Sequence, residues 1–568
     1  MKIVVKLNIL YLMSLWMFTG CGITEVDESS NTKGSQETAV AGVSIEVMDA
    51  TTDNYKVLKL NGDKRLQVKL GNEEKDVYLL FTNPKNSSYS ATVNHNQKTV
   101  KSSNSFNKGL KVDDIKHLAN HSPSYIQEFN NKSFDFKTPK INNKKMEKTY
   151  TKISDRVNDS KIFYMQSDST DVNVTATARK VVTNVQTSFG EKSLTIWVEN
   201  DAYVDNCHKA KCIDNAMINT LANKFLKSGS DNDIYDWVTN VFGEEWGSSN
   251  SSELIAEPQH VDILLTDISN DNKTDGGVIG YFYSKDNFKA SRYKGSNERI
   301  MFYIDSVMYA NGGENWDQDN FWPQQVFSTL AHEFQHMIYF YHKNVQQNLQ
   351  GTETWINEML SESTEDLLAV KMNVDGPRNV IASRGDAGAK NNYNGRYPLF
   401  NKNNKLSPIS WDNSLENYST VSSFGAYLMR NYGGAELLHN IVDNDLINKE
   451  ALIYAIHKNI NGKSKTFDDL IHEWGVAVLL SKRDDIVSDS GELYNAGDFI
   501  SSDFSGIHYD LGSINFFNYS ITPALATTMS QIAPHSNYYY KVGENLKGDV
   551  DVEILGTRGL NVSVVVVK

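Results

Sequence analysis

The sequence predicts an α+β protein, and three observations carry that prediction. Strand-like runs rich in β-branched and aromatic residues lead into a long apolar helix. Further helical spacing follows that helix, and both ends of the chain return to short strand patterns. At 568 residues the chain exceeds one ordinary core, so two to four domains are expected. Its 40% hydrophobic and 22% charged residues are ordinary globular material. A formal net charge of −14 argues against nucleic-acid binding, which needs a basic face.

The first segment reads as a targeting signal. Lys2 and Lys6 flank an apolar stretch from Ile9 to Phe18, which ends at Phe18-Thr19-Gly20-Cys21. Small residues just before a cysteine resemble a bacterial lipobox, which implies a lipoprotein signal peptide over 1–20 and acylation of Cys21. The apolar stretch is short of the roughly twenty residues that span a membrane. Residues 21–42, rich in Ser, Thr, Glu and Asn, read as a tether. The expectation is a chain anchored in a lipid membrane, outside the cytoplasmic membrane, at the outer membrane or cell surface. With Cys21 lipidated, Cys207 and Cys212 remain for a short disulfide in an oxidising compartment.

Residues 43–96 read as a small β domain, from runs such as Val77-Tyr78-Leu79-Leu80-Phe81 bounded by Asn, Gly and Ser. Residues 97–180, rich in Lys, Asn and Ser, read as a linker or a pro-region. The central domain is expected over 181–490. Ser193 to Glu199, Val261 to Thr266 and Arg299 to Ile304 are its strands, and Met217, Leu221 and Phe225 fall at helical spacing. Asp267 to Gly276 is dense in oxygen donors suited to Ca²⁺. It lacks a carboxylate at the closing position, so a solvated acidic turn is the favoured reading. Residues 500–568 read as a C-terminal β domain, with Val550 to Leu555 and Leu560 to Val567 as a hairpin.

The chemistry concentrates at His332-Glu333-Phe334-Gln335-His336. Residues four apart share a helix face, so both imidazoles point to one place, as Zn²⁺ requires. The run from Phe327 to Phe340 is apolar nearly all round, as in a buried helix. A catalytic zinc takes three protein ligands, and the helical stretch from Thr354 to Glu365 offers Glu358 as the third. Glu333 stands beside the first histidine, where it can act as general base on a metal-bound water.

HExxH followed by a helix bearing Asn357-Glu358-x-x-Ser361-Glu362 resembles the thermolysin-like gluzincins. The longer string HEFQHMI…TWINEMLSE resembles the hyicolysin family of neutral zinc metallopeptidases. The resemblance implies a mixed-sheet upper lobe and a helical lower lobe, flanked here by the small N- and C-terminal β domains. It implies His332, His336 and Glu358 as zinc ligands, Glu333 as base, and Glu362 as the carboxylate that orients the first histidine from behind. Should Glu358 not be the ligand, Glu362, Glu365 and Glu353 are the substitutes, in that order. Gly277 to Phe288 would supply the edge strand above the cleft, to which an extended substrate adds. Tyr418, early in a helix from Asn417 to Gly434, is the candidate donor to the developing oxyanion, with His439, His457 and His472 as rivals. An ordinary half-buried tyrosine is the competing reading of Tyr418.

The expected activity is zinc-dependent endopeptidase cleavage of extracellular proteins or peptides. A rival reading is a surface-anchored adhesion lipoprotein that keeps the scaffold and has lost proteolysis. An aminopeptidase would need an acidic anchor for the substrate amine, and no motif for one stands out.

Overall fold

The computed structural model describes residues 45–97, 119–120, 122–134, 136, 155–167, 170–227, 232–249, 251–256, 259–378, 395–483 and 499–568. The signal peptide, Cys21 and the tether lie outside the described residues. Among those residues, no helix is long and apolar enough to cross a membrane. The architecture is α+β: a mixed sheet with helices, and a β-sandwich.

The sandwich corrects the expectation of two separate terminal β domains, because strands from both ends of the chain interleave. One four-stranded sheet runs Ile45–Asp49, Lys64–Lys69, Asp549–Leu555, Thr92–His95. The other runs Ser536–Leu546, Lys75–Asn83, Asn561–Val567, Tyr55–Leu60. Between them lies a core that includes Leu66, Val68, Val77, Leu79, Phe81, Val552 and Val564. Every residue of Lys75–Asn83 is buried. The strand is covered on both faces: Val77, Leu79 and Phe81 face the sandwich core, while Tyr78 and Leu80 join the main core with the helix Phe467–Leu480. Two-sided burial explains why that run is continuously apolar. His472 of this helix accepts or donates at both ring nitrogens, to Thr82 Oγ1 and Ser563 Oγ, each at 2.7 Å.

The main sheet has six strands, in the order Gly280–Phe282, Met301–Asp305, His260–Thr266, Gly190–Glu199, Thr170–Thr187, Ser160–Ser167. Its middle three strands are parallel, and the outer pairings are antiparallel. The boundary expected at residue 181 therefore moves back to about residue 160. The polar composition of Ser160 to Lys180 misled because one face of this hairpin is solvated, giving alternate exposed and buried residues over Thr170–Thr187.

The metal helix, Phe321–Tyr339, crosses the sheet beside Gly280–Phe282 and Met301–Asp305. Pro323 stands in its first turn, where a missing N–H costs nothing. The approach is close. A Cβ on Gly280 would lie 2.9 Å from the Tyr303 carbonyl oxygen and 3.0 Å from Thr329 Cγ2, so any side chain there would force strand or helix to shift. A π-helical turn, Phe340–Gln346, follows. The chain then reverses into the ligand helix, Thr354–Met372, which packs on both the metal helix and the helix Leu415–Tyr432. That last contact also depends on a glycine, since a Cβ at Gly425 would meet Ser363 Oγ at 2.3 Å. Residues 500–520, expected within the C-terminal β domain, instead brace the helices. Arg430 donates to the carbonyls of Leu511 and Gly512 at 3.0 Å.

Candidate active site

Two helices build the site. On the metal helix the rings of His332 and His336 are 4.8 Å apart, one turn from each other on the buried face. The antiparallel ligand helix brings Glu358 against both: its Oε2 is 3.1 Å from His332 Nε2 and 3.4 Å from His336 Nε2. Tetrahedral zinc with bonds of about 2.0–2.2 Å would separate neighbouring ligand atoms by roughly 3.3–3.5 Å. The three donors thus fit the ion in type, number and spacing, and they form one of the possible metal-holding groups among the described residues.

Burial opposes charge on His332, but its hydrogen bonds to Glu358 and Glu365 outweigh it and hold its pKa well above the ordinary value. Burial likewise opposes charge on His336, and Glu358 raises it. Burial pushes the Glu358 carboxyl up, yet the two histidines bring it below the usual carboxylate range. Glu333 behaves differently. Burial pushes its pKa up to about 7, against the pull of His336 and His332. One oxygen, Oε2, accepts the Phe282 N–H at 2.8 Å. The other, Oε1, is buried with no hydrogen-bond partner among the described residues, which leaves it available to a water's proton.

The ligand helix carries a row of acids at helical spacing, and each has a different partner. Glu365, not Glu362, is the carboxylate behind the first histidine: its Oε1 lies 2.7 Å from His332 Nδ1. Ser328 Oγ donates to the other oxygen of Glu365. Glu362 is instead gripped by Arg396, whose Nε and Nη2 lie 2.9 and 2.8 Å from Oε1. Asp366 takes Arg430 Nη1 at 2.7 Å. The expected role of Glu362 therefore passes to Glu365, because the seven-residue step projects further along the metal helix toward Nδ1. Glu353 lies just before the ligand helix and accepts the Trp355 indole N–H at 2.5 Å.

Tyr418 is fully buried in the first turn of Leu415–Tyr432, against Trp411 at a ring distance of 5.0 Å. Burial holds its phenol protonated, with a pKa well above the ordinary value. It is linked to the candidate ligand Glu358 through one group that no sequence pattern marks. Gln127 Nε2 donates to Glu358 Oε1 at 2.9 Å and to Tyr418 Oη at 2.5 Å. No local signal marked Gln127, which lies in the stretch read as linker or pro-region.

The rival histidines are elsewhere. His439 Nδ1 contacts the Val241 carbonyl, His457 Nε2 contacts that of Lys465, and His472 bridges to the sandwich. In the acidic turn read for Ca²⁺, Asp267 accepts the N–H groups of Asp271 and Asn272, and the Lys209 ammonium lies 3.1 Å from it. A second group with metal-ligand chemistry, Asp155, His260 and Asp262, already holds the Arg299 guanidinium at 2.7 and 2.9 Å. Cys207 and Cys212 are joined as a disulfide.

The peptidase M30 family model matches residues 173–483, which is more than half of the chain and includes both metal-site helices. The chain belongs to the peptidase M30 family. It is also 29% identical over 249 residues to the neutral metalloprotease ShpI of Staphylococcus hyicus, covering 41% of this M30 chain. The chain spans about half, 52%, of that relative's length. Solved structures with some likeness to this M30 chain include an M1 zinc metallopeptidase from Deinococcus radiodurans. It has 9% identity and a TM-score of 0.29, covering 55% of this chain and 58% of the other. A mutant of the same enzyme bound to a Tyr-Ser-Ala substrate gives 10% identity and a TM-score of 0.30, covering 56% and 60%.

Proposed function

We propose that this M30 chain is a zinc-dependent endopeptidase acting on extracellular proteins or peptides. The observation that carries the reading is the convergence of His332 Nε2, His336 Nε2 and Glu358 Oε2 beside a buried Glu333 with one free oxygen. Bound to those three side chains, zinc would supply Lewis-acid polarisation of a carbonyl and acidify a water. Glu333 takes the proton of the attacking water and passes it to the leaving nitrogen, through the one oxygen that has no partner among the described residues. The Phe282 N–H holds its carboxylate in place. Glu365 fixes the tautomer and direction of His332. Tyr418 donates a hydrogen bond to the oxyanion that develops on the carbonyl, from a phenol that burial keeps neutral.

A thermolysin-like division belongs to the same proposal. The mixed sheet ending in Gly280–Phe282 forms the upper lobe, and the helices from Arg396 onward form the lower. Substrate enters extended along the edge strand. The location outside the cytoplasmic membrane, with Cys21 acylated, is supported by the leader sequence and is compatible with the Cys207–Cys212 disulfide.

The test is cleavage of an internally quenched peptide blocked at both ends. The reading expects cleavage that a chelator abolishes and zinc restores. Cleavage of peptides with a free amine only would make the chain an aminopeptidase. No cleavage by the zinc-loaded chain would leave the adhesion reading.

A further inference from the structure

Residues 122–134 lie against the metal site, and nothing in the chemistry above needs them there. The short helix Ser124–Asn130 points Gln127 inward, to Glu358 and Tyr418 as described, and the side chain is 7% exposed. Its neighbour Asn130 engages the edge strand. Asn130 Nδ2 donates to the Phe282 carbonyl at 2.9 Å, and its Oδ1 accepts the Ser284 N–H at 2.8 Å. Those two groups flank Tyr283, and they are the pair to which one residue of an added parallel strand hydrogen-bonds. The carboxamide of Asn130 thus imitates a substrate backbone amide on the edge strand. Just upstream, Ala119 and Asn120 pair in parallel with Gly277 and Val278.

The segment is anchored by apolar contacts as well. Phe129 meets the rings of Tyr283 and Tyr293 edge-on at 5.2 and 5.0 Å, and Phe134 meets Phe288 at 5.0 Å. Phe134 also exchanges two backbone bonds with the Gln350 side chain, which lies in the turn before the ligand helix. The segment is therefore docked through three kinds of contact, and two of them use groups that a peptide substrate would need.

We propose that residues 122–134 are a built-in inhibitor of the metal site, with the Gln127 carboxamide standing where a scissile amide would sit and Asn130 standing for substrate backbone. This inference rests on the endopeptidase reading. The helix resists cleavage because it offers side-chain amides while its own peptide groups stay folded. A substrate must displace the segment, so its apparent affinity is scaled down to the fraction of chains in which the segment is unseated.

The test uses the full zinc-loaded chain with Gln127→Ala or Asn130→Ala. Each variant removes two hydrogen bonds of the segment and leaves Phe129 and the helix backbone in place. Two bonds of ordinary strength correspond to about tenfold or more in seating. Acetohydroxamate, a small chelating probe, is expected to bind both variants at least about tenfold more tightly by titration calorimetry. Cleavage of the blocked peptide should rise in parallel, with zinc content unchanged. Unchanged probe affinity in both variants overturns the inference, and so does a raised KM with unchanged probe affinity, which would make the segment a wall of the substrate site. Tighter probe binding without cleavage by any form upholds the inhibitor and sinks the peptidase reading. Wild-type cleavage with no change in either variant does the reverse.

Discussion

Replacing Glu365 with Gln should weaken zinc binding, although Glu365 is not a ligand. Its carboxylate lies 2.7 Å from His332 Nδ1 and is itself held by Ser328, so it sets the tautomer that presents Nε2 to the ion. It also strengthens the imidazole as a donor. Removing such a partner typically costs 10–100-fold in metal affinity, or about 1.4–2.7 kcal/mol. The burial of both groups favours the upper half of that range, since no water can replace the lost charge. The assay is competition for zinc against a chromophoric chelator at fixed pH. Glu362→Gln is the control, because the Glu362 carboxylate is paired with the Arg396 guanidinium. The expected order is a loss of at least about tenfold for Glu365→Gln and a loss of less than about threefold for Glu362→Gln. The reverse order would refute the geometric argument and return the role to Glu362.

Two further outcomes follow from the same geometry. Tyr418→Phe should lower kcat by about 10²–10³ with KM little changed, because only the transition state gains from the phenol's hydrogen bond; an unchanged kcat would show that another group meets the oxyanion. Stability should fall as the pH drops from about 6.5 toward 3. Burial and nearby Lys59 push the folded pKa of His472 down to about 3, so the unfolded chain takes up a proton in that window and the folded chain does not. Denaturant unfolding of wild type and His472→Gln would show it, with the wild type losing a few kcal/mol more than the variant on going from pH 7 to pH 4. Parallel pH profiles would contradict the assignment.

What was legible in the sequence was local. His332 and His336 are four residues apart on one helix, and helical periodicity alone aims them together. Glu358 was legible because a short polar turn forces two consecutive helices to lie antiparallel. The choice between Glu362 and Glu365 was not legible, since both face the metal helix and only the crossing of the two helices decides which reaches Nδ1. Gln127 lies more than two hundred residues from its partners, with no pattern to mark it. The sandwich was hidden for a related reason. Lys75–Asn83 pairs with Ser536–Leu546 and Asn561–Val567, and long-range pairing leaves no trace in either segment's own alternation. Arg396 could not be foreseen either, because its partner Glu362 had already been given another task.

The central claim is that His332, His336 and Glu358 hold zinc while Glu333 moves the proton. The most direct measurement is zinc content and blocked-peptide cleavage of Glu333→Gln, made side by side with wild type. One zinc per chain is expected in both, with a fall in kcat of at least about 10² in the variant. A Glu333→Gln chain that cleaves at the wild-type rate would contradict it.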